Sequence, residues 1–408
     1  MIIHGDVAFM IISTVLVLIM TPGLAFFYAG LVERKNSLTM MFYSFIAIGI
    51  VPILWIFGGF SLVFGEDIGG VIGNPIHYFC FNNFAELINL RYGATIPFLL
   101  FFMYQLMFAI ITGPLMTGAF TNRLTPGGWI KILILWMILI YFPVAHWVWG
   151  DGFLARIGFV DYAGGAVIHI TAGFGCLGGI FFLGDRVKKE PIQPFHLGLV
   201  SVGGALLLFG WYGFNSGGSL SAARTAAIVF TNTGIAAATG MVTWLLLHVI
   251  AHKRQSFLEL IIGAIAGLAT ITPCAGYVTP LAAIFVGIIA SIVCYFCVIV
   301  ERKYIDDTLD VFGVHGVGGF IGTLLVGVFA NPLINDVERS FRQFLIQLFG
   351  SVLIAIYSIV LTWLIFWVIN KTKPIKVPDE VQISGLDKEY FHESFSDYFG
   401  TANNHSEH

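Results

Sequence analysis

The sequence predicts an all-α polytopic membrane protein, with eleven transmembrane helices arranged as two inverted five-helix repeats plus a last long helix. Three observations predict it. Hydrophobic residues make up 58% of the 408 positions and charged residues only 11%, whereas a soluble globular chain carries about 25% charged residues. The apolar residues arrive in runs of about 20, the length a helix needs to cross a bilayer. Runs such as 8–18 and 132–140 are apolar on every side; strands of a barrel would alternate, and a bilayer core admits only helices or closed barrels.

The expected spans lie at 7–29, 39–64, 95–120, 127–147, 161–184, 196–216, 224–250, 256–272, 278–300, 311–331 and 342–370. The eighth is short and stops at Thr272-Pro273. Basic residues test the count. With an odd number of spans, Arg91, Arg156, Arg224, Arg339 and Arg342 fall on one side, and the remainder of the 20 Lys and Arg, including Lys188 and Lys189, fall on the other. Cytoplasmic loops are enriched in Lys and Arg. The bias therefore places the amino terminus outside and the carboxyl terminus in the cytoplasm. Residues 1–370 read as one transmembrane domain, with pseudo-repeats near 7–184 and 196–331 and the eleventh helix outside them. The polar segment 371–408 reads as a cytosolic tail that docks on the helices or on a partner. Residues 1–7 carry no Lys or Arg, so the basic start of a signal peptide is missing.

Ionisable residues inside spans are costly and face a cavity or a partner. Asp161-Tyr-Ala-Gly-Gly-Ala-Val-Ile-His169 opens the fifth span, and Asp310-Val-Phe-Gly-Val-His315 opens the tenth. Five helices separate them, and an odd shift reverses helix direction, which marks an inverted repeat with its working site near the midplane. From symmetric positions His169 and His315 point at one axis, where two neutral imidazoles present a donor and an acceptor to a small polar molecule. Asp310 is expected to be a plain helix cap. Asp161 caps too, and its charge near the mouth favours a cation.

Trp147 and Trp149 fit either an interfacial aromatic belt or a cation–π cup. Gly164, Gly165, Gly175, Gly316, Gly318 and their neighbours let helices approach closely. Cys294 and Cys297 form a C-x-x-C within an apolar run, without a second pair, and are expected to be core residues. H-E-x-x-H, G-x-S-x-G and P-loop patterns are missing, as is a basic block suited to nucleic acid. The expectation is therefore no catalytic residue, no metal, no cofactor and no nucleic-acid partner.

On Asp161–His169, Gly210-Trp-Tyr-Gly-Phe-Asn215, Thr272-Pro-Cys-Ala-Gly-Tyr277 and Asp310–Gly316, the chain resembles the ammonium transporter family, the Amt branch in particular. The likeness runs from Pro22-Gly23 to Gly385-Leu386-Asp387. It implies a homotrimer in membrane lipid with one pore per subunit, carrying ammonium or ammonia across a cell membrane. It implies an outer ammonium site with Phe108, Trp149, Asp161 and, nearby, Thr272. It further implies a gate of Phe108 and Phe214, and a pore lined by Trp211 and the pair His169 and His315.

The sequence departs from the family pattern at two places. Many members carry a serine shortly after the Phe-Asn of the sixth helix; an ungapped count puts Gly218 there. Either Ser219 takes the role after a small shift, or the cation loses one acceptor. In the tail, His392-Glu393-Ser394 stands where the family often has His-Gly-Glu, which bears on regulation by a PII-type or signalling partner. The mechanism expected is desolvation of ammonium at the mouth, deprotonation near the gate, and passage of neutral ammonia past the histidines. The alternative is an ammonium sensor that binds with the same residues and signals through the tail.

Overall fold

The computed structural model describes residues 1–84, 87–187 and 193–395. Lys188 and Lys189, and residues 396–408 of the expected tail, lie outside the described residues. Eleven apolar helices are seen among those described. They are α1 (His4–Leu31), α2 (Arg34–Phe64), α3 (Phe98–Phe120), α4 (Pro126–Arg156), α5 (Gly165–Leu183), α6 (Leu197–Ser219), α7 (Arg224–His252), α8 (Phe257–Ile271), α9 (Pro280–Tyr304), α10 (Phe312–Phe329) and α11 (Phe341–Thr372). All but α8 are long and apolar enough to cross a membrane alone. The 15 residues of α8 rise roughly 22 Å. A run of turns at Thr272–Tyr277 extends its path, and Pro273, which cannot donate a backbone hydrogen bond, helps end the helix. At 32 residues α11 spans roughly 48 Å, and it packs across α5 and α10. Helix α1 packs along α6, and α7 packs along α8 and α9.

Helices α5 and α10 both open on a wide turn. The His169 N–H bonds to the Gly164 carbonyl, and the Val317 N–H bonds to the Phe312 carbonyl. Each is a five-residue step, which widens the helix and turns its side chains relative to a regular α-helix. A carboxylate anchors each turn. Asp161 accepts the N–H groups of Gly164, Gly165, Ala166 and Val167 at 2.7–3.0 Å. In α10 that role belongs to Asp307, whose Oδ2 accepts from the Phe312 N–H at 2.7 Å. Asp310, expected as the cap, sits at φ +57° and instead pairs with the Arg302 guanidinium. Counted from Asp307, the carboxylate-to-histidine spacing equals that of Asp161 to His169. From Asp310, the carboxylate that the sequence suggests, the step to His315 is five residues and does not match the eight from Asp161 to His169.

Asp67 begins strand β1 (Asp67–Ile68), which pairs antiparallel with β2 (Ile72–Gly73). This hairpin follows α2 at the end of the bundle that carries Trp149. His146 Nε2 lies 2.9 Å from the Asp67 carboxylate, His146 Nδ1 lies 2.7 Å from the Val63 carbonyl, and Arg156 donates to Asp67 at 2.7 Å.

The tail begins at the opposite end. Thr125 and Val377 donate their N–H groups to the carbonyls of Ile375 and Arg123, so 375–377 runs beside the α3–α4 connection. Buried Gln382, on the short helix α12 (Asp379–Ser384), accepts from the Val187 N–H. Next comes α13 (Leu386–Phe391), which carries Asp387. The Asp387 carboxylate accepts the N–H groups of Leu38 and Thr39 and the Thr39 hydroxyl at 2.7–3.0 Å, capping the start of α2.

Asp387→Ala removes that cap, whose loss costs about 0.5–2 kcal/mol. The expected result is faster amide exchange across 373–391 and 37–40 with exchange in α5 unchanged, measured by hydrogen exchange in detergent. At Asp67, burial pushes the carboxyl up, but hydrogen bonds from His146, the Gly70 N–H and Arg156 together hold it below its usual value. The stabilisation from these bonds is complete above an ordinary aspartate pKa of about 3.9 and is lost as pH falls through the lower folded value. Protease access to 65–73 should therefore stay flat from neutral pH to about pH 4 and rise below it.

Candidate functional site

The site lies along a line of cavities through the bundle. At the Trp149 end a cavity of about 270 Å³ is lined by Arg91, Tyr104, Gln105, Phe108, Trp149, Asp161, Tyr162, Gly218 and others. Phe108 comes from the middle of α3, Trp149 from α4 just before its bend at Gly150, and Asp161 from the segment entering α5. The Trp149 indole N–H donates to the Asp161 carbonyl at 2.9 Å, which fixes the ring. Phe108 meets it edge-on, with ring centroids 6.1 Å apart and planes at 87°. Two aromatic rings set at right angles leave negative π faces toward the cavity, which suits a small cation.

Phe108 closes the floor against Phe214, with ring centroids 4.4 Å apart at 35°. The Tyr104 hydroxyl donates to the Phe214 carbonyl at 2.8 Å and packs on Phe108, so one tyrosine steadies both rings. Beneath lies a cavity of about 20 Å³ bounded by Phe214, Trp211, His169, His315, Tyr28 and aliphatic side chains. One water-sized molecule needs about 10–15 Å³, so the space admits one small guest. Its lining includes no carboxylate.

The two imidazoles meet inside it. Their Nδ1 atoms are 3.2 Å apart and their rings nearly parallel at 13°. One Nδ1 must donate and the other accept, so the pair shares a proton at this contact. His169 Nε2 has no hydrogen-bond partner among the described residues, and a buried polar atom left unpaired invites a guest. Trp211 stacks on His169 at 5.5 Å and donates its indole N–H to the Thr272 hydroxyl at 2.9 Å. Past His315 a third cavity of about 90 Å³ reaches Asp310 and Arg302, and beyond it lies an open cleft of about 730 Å³ at the tail end.

The glycines between α5 and α10 make this contact possible. A Cβ on Gly173 would lie 2.2 Å from the Gly316 backbone, and one on Gly319 would lie 2.7 Å from the His169 Cβ. Gly164 sits at φ +110° and lets the chain turn into α5.

Of the residues singled out from sequence, Phe108, Trp149 and Asp161 line one cavity, and Phe214, Trp211, His169 and His315 line the next. Thr272 is fully buried, is not among the lining residues of the mouth cavity, and holds Trp211 through its hydroxyl. Ser219 turns its hydroxyl to the carbonyls of Ser216 and Ser221, and Gly218 and Leu220 on either side of it line the cavity. Trp147 separates from Trp149 and packs on Tyr357, bonding to the Val71 carbonyl. Sequence reasoning missed Tyr104, Arg91 and Tyr162. Tyr104 stands four residues before Phe108, hence on the same helix face, so that spacing could have found it. Nothing local marks the other two.

A membrane-spanning bundle threaded by small cavities is the architecture of a transporter or channel. The chain belongs to the ammonium transporter family, whose model matches residues 8–395. It is 41% identical over 392 residues to the ammonium transporter Amt1 of Archaeoglobus fulgidus, covering 94% of this chain and 97% of that one. To the ammonium transporter of Aquifex aeolicus it is 41% identical over 386 residues, covering 93% and 90%. Among solved structures, Candida albicans Mep2 superposes with a TM-score of 0.86 at 32% identity, covering 93% of this chain and 87% of that one. A structure titled as a sensor Amt protein reaches 0.87 at 28% identity, covering 95% and 98%.

Asp161→Ala leaves four backbone N–H groups without their acceptor in a buried turn. Such unpaired groups cost about 1–3 kcal/mol each. The expected outcome is protein that is lost from the membrane fraction or melts well below the parent, read by fluorescence-detected size exclusion over a temperature series. Asp161→Asn, which keeps an acceptor oxygen, should retain much of the folded protein.

Proposed function

We propose that this chain carries ammonium across a cell membrane, recruiting the cation at the Phe108–Trp149 cavity, releasing its proton to water near the Phe108–Phe214 gate, and passing ammonia beside His169 and His315 while the proton crosses separately, so that net charge moves. The observation that carries this reading is the shared-proton contact of His169 and His315 inside a one-molecule apolar cavity, in a chain of the ammonium transporter family. Taking a bare cation out of water costs several kcal/mol even after relaxation, and a wall with no carboxylate does little to offset it. Neutral ammonia matches the cavity in size and in its need for one donor and one acceptor.

At the mouth, the aromatic faces of Phe108 and Trp149 hold the cation, and the buried charge of Asp161 favours it without touching it. With Gly218 facing the cavity and the Ser219 hydroxyl turned away, the cation has one hydroxyl acceptor fewer than in family members with the serine. We place the amino terminus and the Trp149 cavity outside and the tail in the cytoplasm, following the basic-residue bias. Residues 1–370 act as the transport domain and 371–408 as a regulatory tail. The assembly is a homotrimer in membrane lipid, with a PII-type or signalling protein as the tail's cytosolic partner.

A sensor is the second reading, favoured by the likeness to the structure titled as a sensor Amt protein and by the glycine at the mouth. Charge movement separates the two. Purified protein in liposomes, challenged with an ammonium jump at several lipid-to-protein ratios, should give a sustained current whose decay slows as protein density falls. A brief current with density-independent decay would make the chain a sensor. His169→Ala should abolish normal ammonium flux in the same assay, and unchanged flux and selectivity would sink the role of the pair.

A further inference from the structure

Apart from Asp161, the mouth cavity has one formally charged lining residue, Arg91. A guanidinium at the entrance of a cation site repels the cation that the site is to receive. Its charge is met from outside the cavity. Arg91 Nη2 lies 2.6 Å from Asp151 Oδ2, and both side chains are about half exposed at 49% and 47%. The guanidinium also rests over the Tyr92 ring, 5.1 Å from its centroid. Burial pushes the Tyr92 phenol up to about 12, so that ring stays neutral. Asp151 is well placed for this role. It follows Trp149 by two residues at the bend that ends the long part of α4, in the left-handed region at φ +74°.

The Asp161 carboxylate is already engaged by four backbone N–H groups, so its charge is fixed deep in the wall. The field at the rim is then set by the Arg91–Asp151 pair, which sums to zero only while the pair is closed. Both partners are exposed, so either can be neutralised without opening a hole in the core.

We propose that Arg91 and Asp151 form an electrostatic rim that sets the ammonium affinity of the mouth, with Arg91 lowering it and Asp151 restoring it. The proposal rests on the reading of the Phe108–Trp149 cavity as the ammonium site. Neither residue touches the cation; both act through the field.

The test uses the full chain in liposomes, reading the half-saturating ammonium concentration from current amplitude. That quantity exists for a sustained current and for a brief binding current alike. Arg91→Gln should lower it and Asp151→Asn should raise it, each by about two- to four-fold, as a unit charge roughly 10 Å away does at an effective dielectric of about 40–80. The double variant should return within about two-fold of the parent, and the maximal current should hold throughout. Both single shifts should shrink as ionic strength rises from about 0.01 to 0.15 M, where the screening length falls from about 30 to 8 Å. Two single variants that move affinity the same way, or that change only the maximal current, would overturn the proposal and leave the pair a structural strap. Trp149→Leu serves as the control: an unchanged half-saturation there would overturn the cavity as the ammonium site, and this proposal with it.

Discussion

The close approach of α5 and α10 at Gly173 and Gly316 is the constraint on which the pore depends. With a Cβ at Gly173 the two backbones could not stay where they are, and the histidines one turn away would separate beyond hydrogen-bond reach. The approach is only half of the device. Asp161 and Asp307 hold the wide turns that aim the two imidazoles at each other, and Trp211, tethered to Thr272, keeps His169 in plane. Small residues at a helix crossing are common in membranes. Here they serve a contact between side chains that would be expensive to bury apart.

The path changes character along its length in a way that follows from electrostatics. The mouth presents π faces and a fixed carboxylate, both suited to a cation. The one-molecule cavity presents apolar walls and two ring nitrogens, suited to a neutral guest. Phe108 and Phe214 stand at the change, and a tyrosine hydroxyl ties that pair to the α6 backbone. The wider cavities beyond His315 bring charged groups back within reach.

Much of this was legible in the chain. Long apolar runs are a local property, so all eleven helices could be read, including the short α8. Ionisable residues inside such runs are rare enough that His169 and His315 stood out, and repeat-related placement suggested that they meet. The choice of carboxylate was harder. Asp307 and Asp310 are both close to the start of α10, and which one caps depends on where the wide turn begins, which no spacing rule states. The resemblance put Thr272 near the mouth and left the serine's place to Gly218 or, after a small shift, to Ser219. In the structure Thr272 bonds to Trp211, a contact that follows from how α8 ends and packs. The Arg91–Asp151 pair joins two loops distant in sequence, and such pairing leaves no local trace.

The tail bears on a different matter. Two inverted halves give a helix arrangement that is alike from either end, so the repeat by itself defines no sense of travel. The tail breaks that equivalence. The hydrogen bonds described for it reach Leu38, Thr39, Arg123, Thr125 and Val187, all of which precede α6. It therefore grips one copy of the repeat, and none of these bonds reaches the other copy. The tail therefore adds a polarity of its own to the one already set by the aromatic mouth and gate.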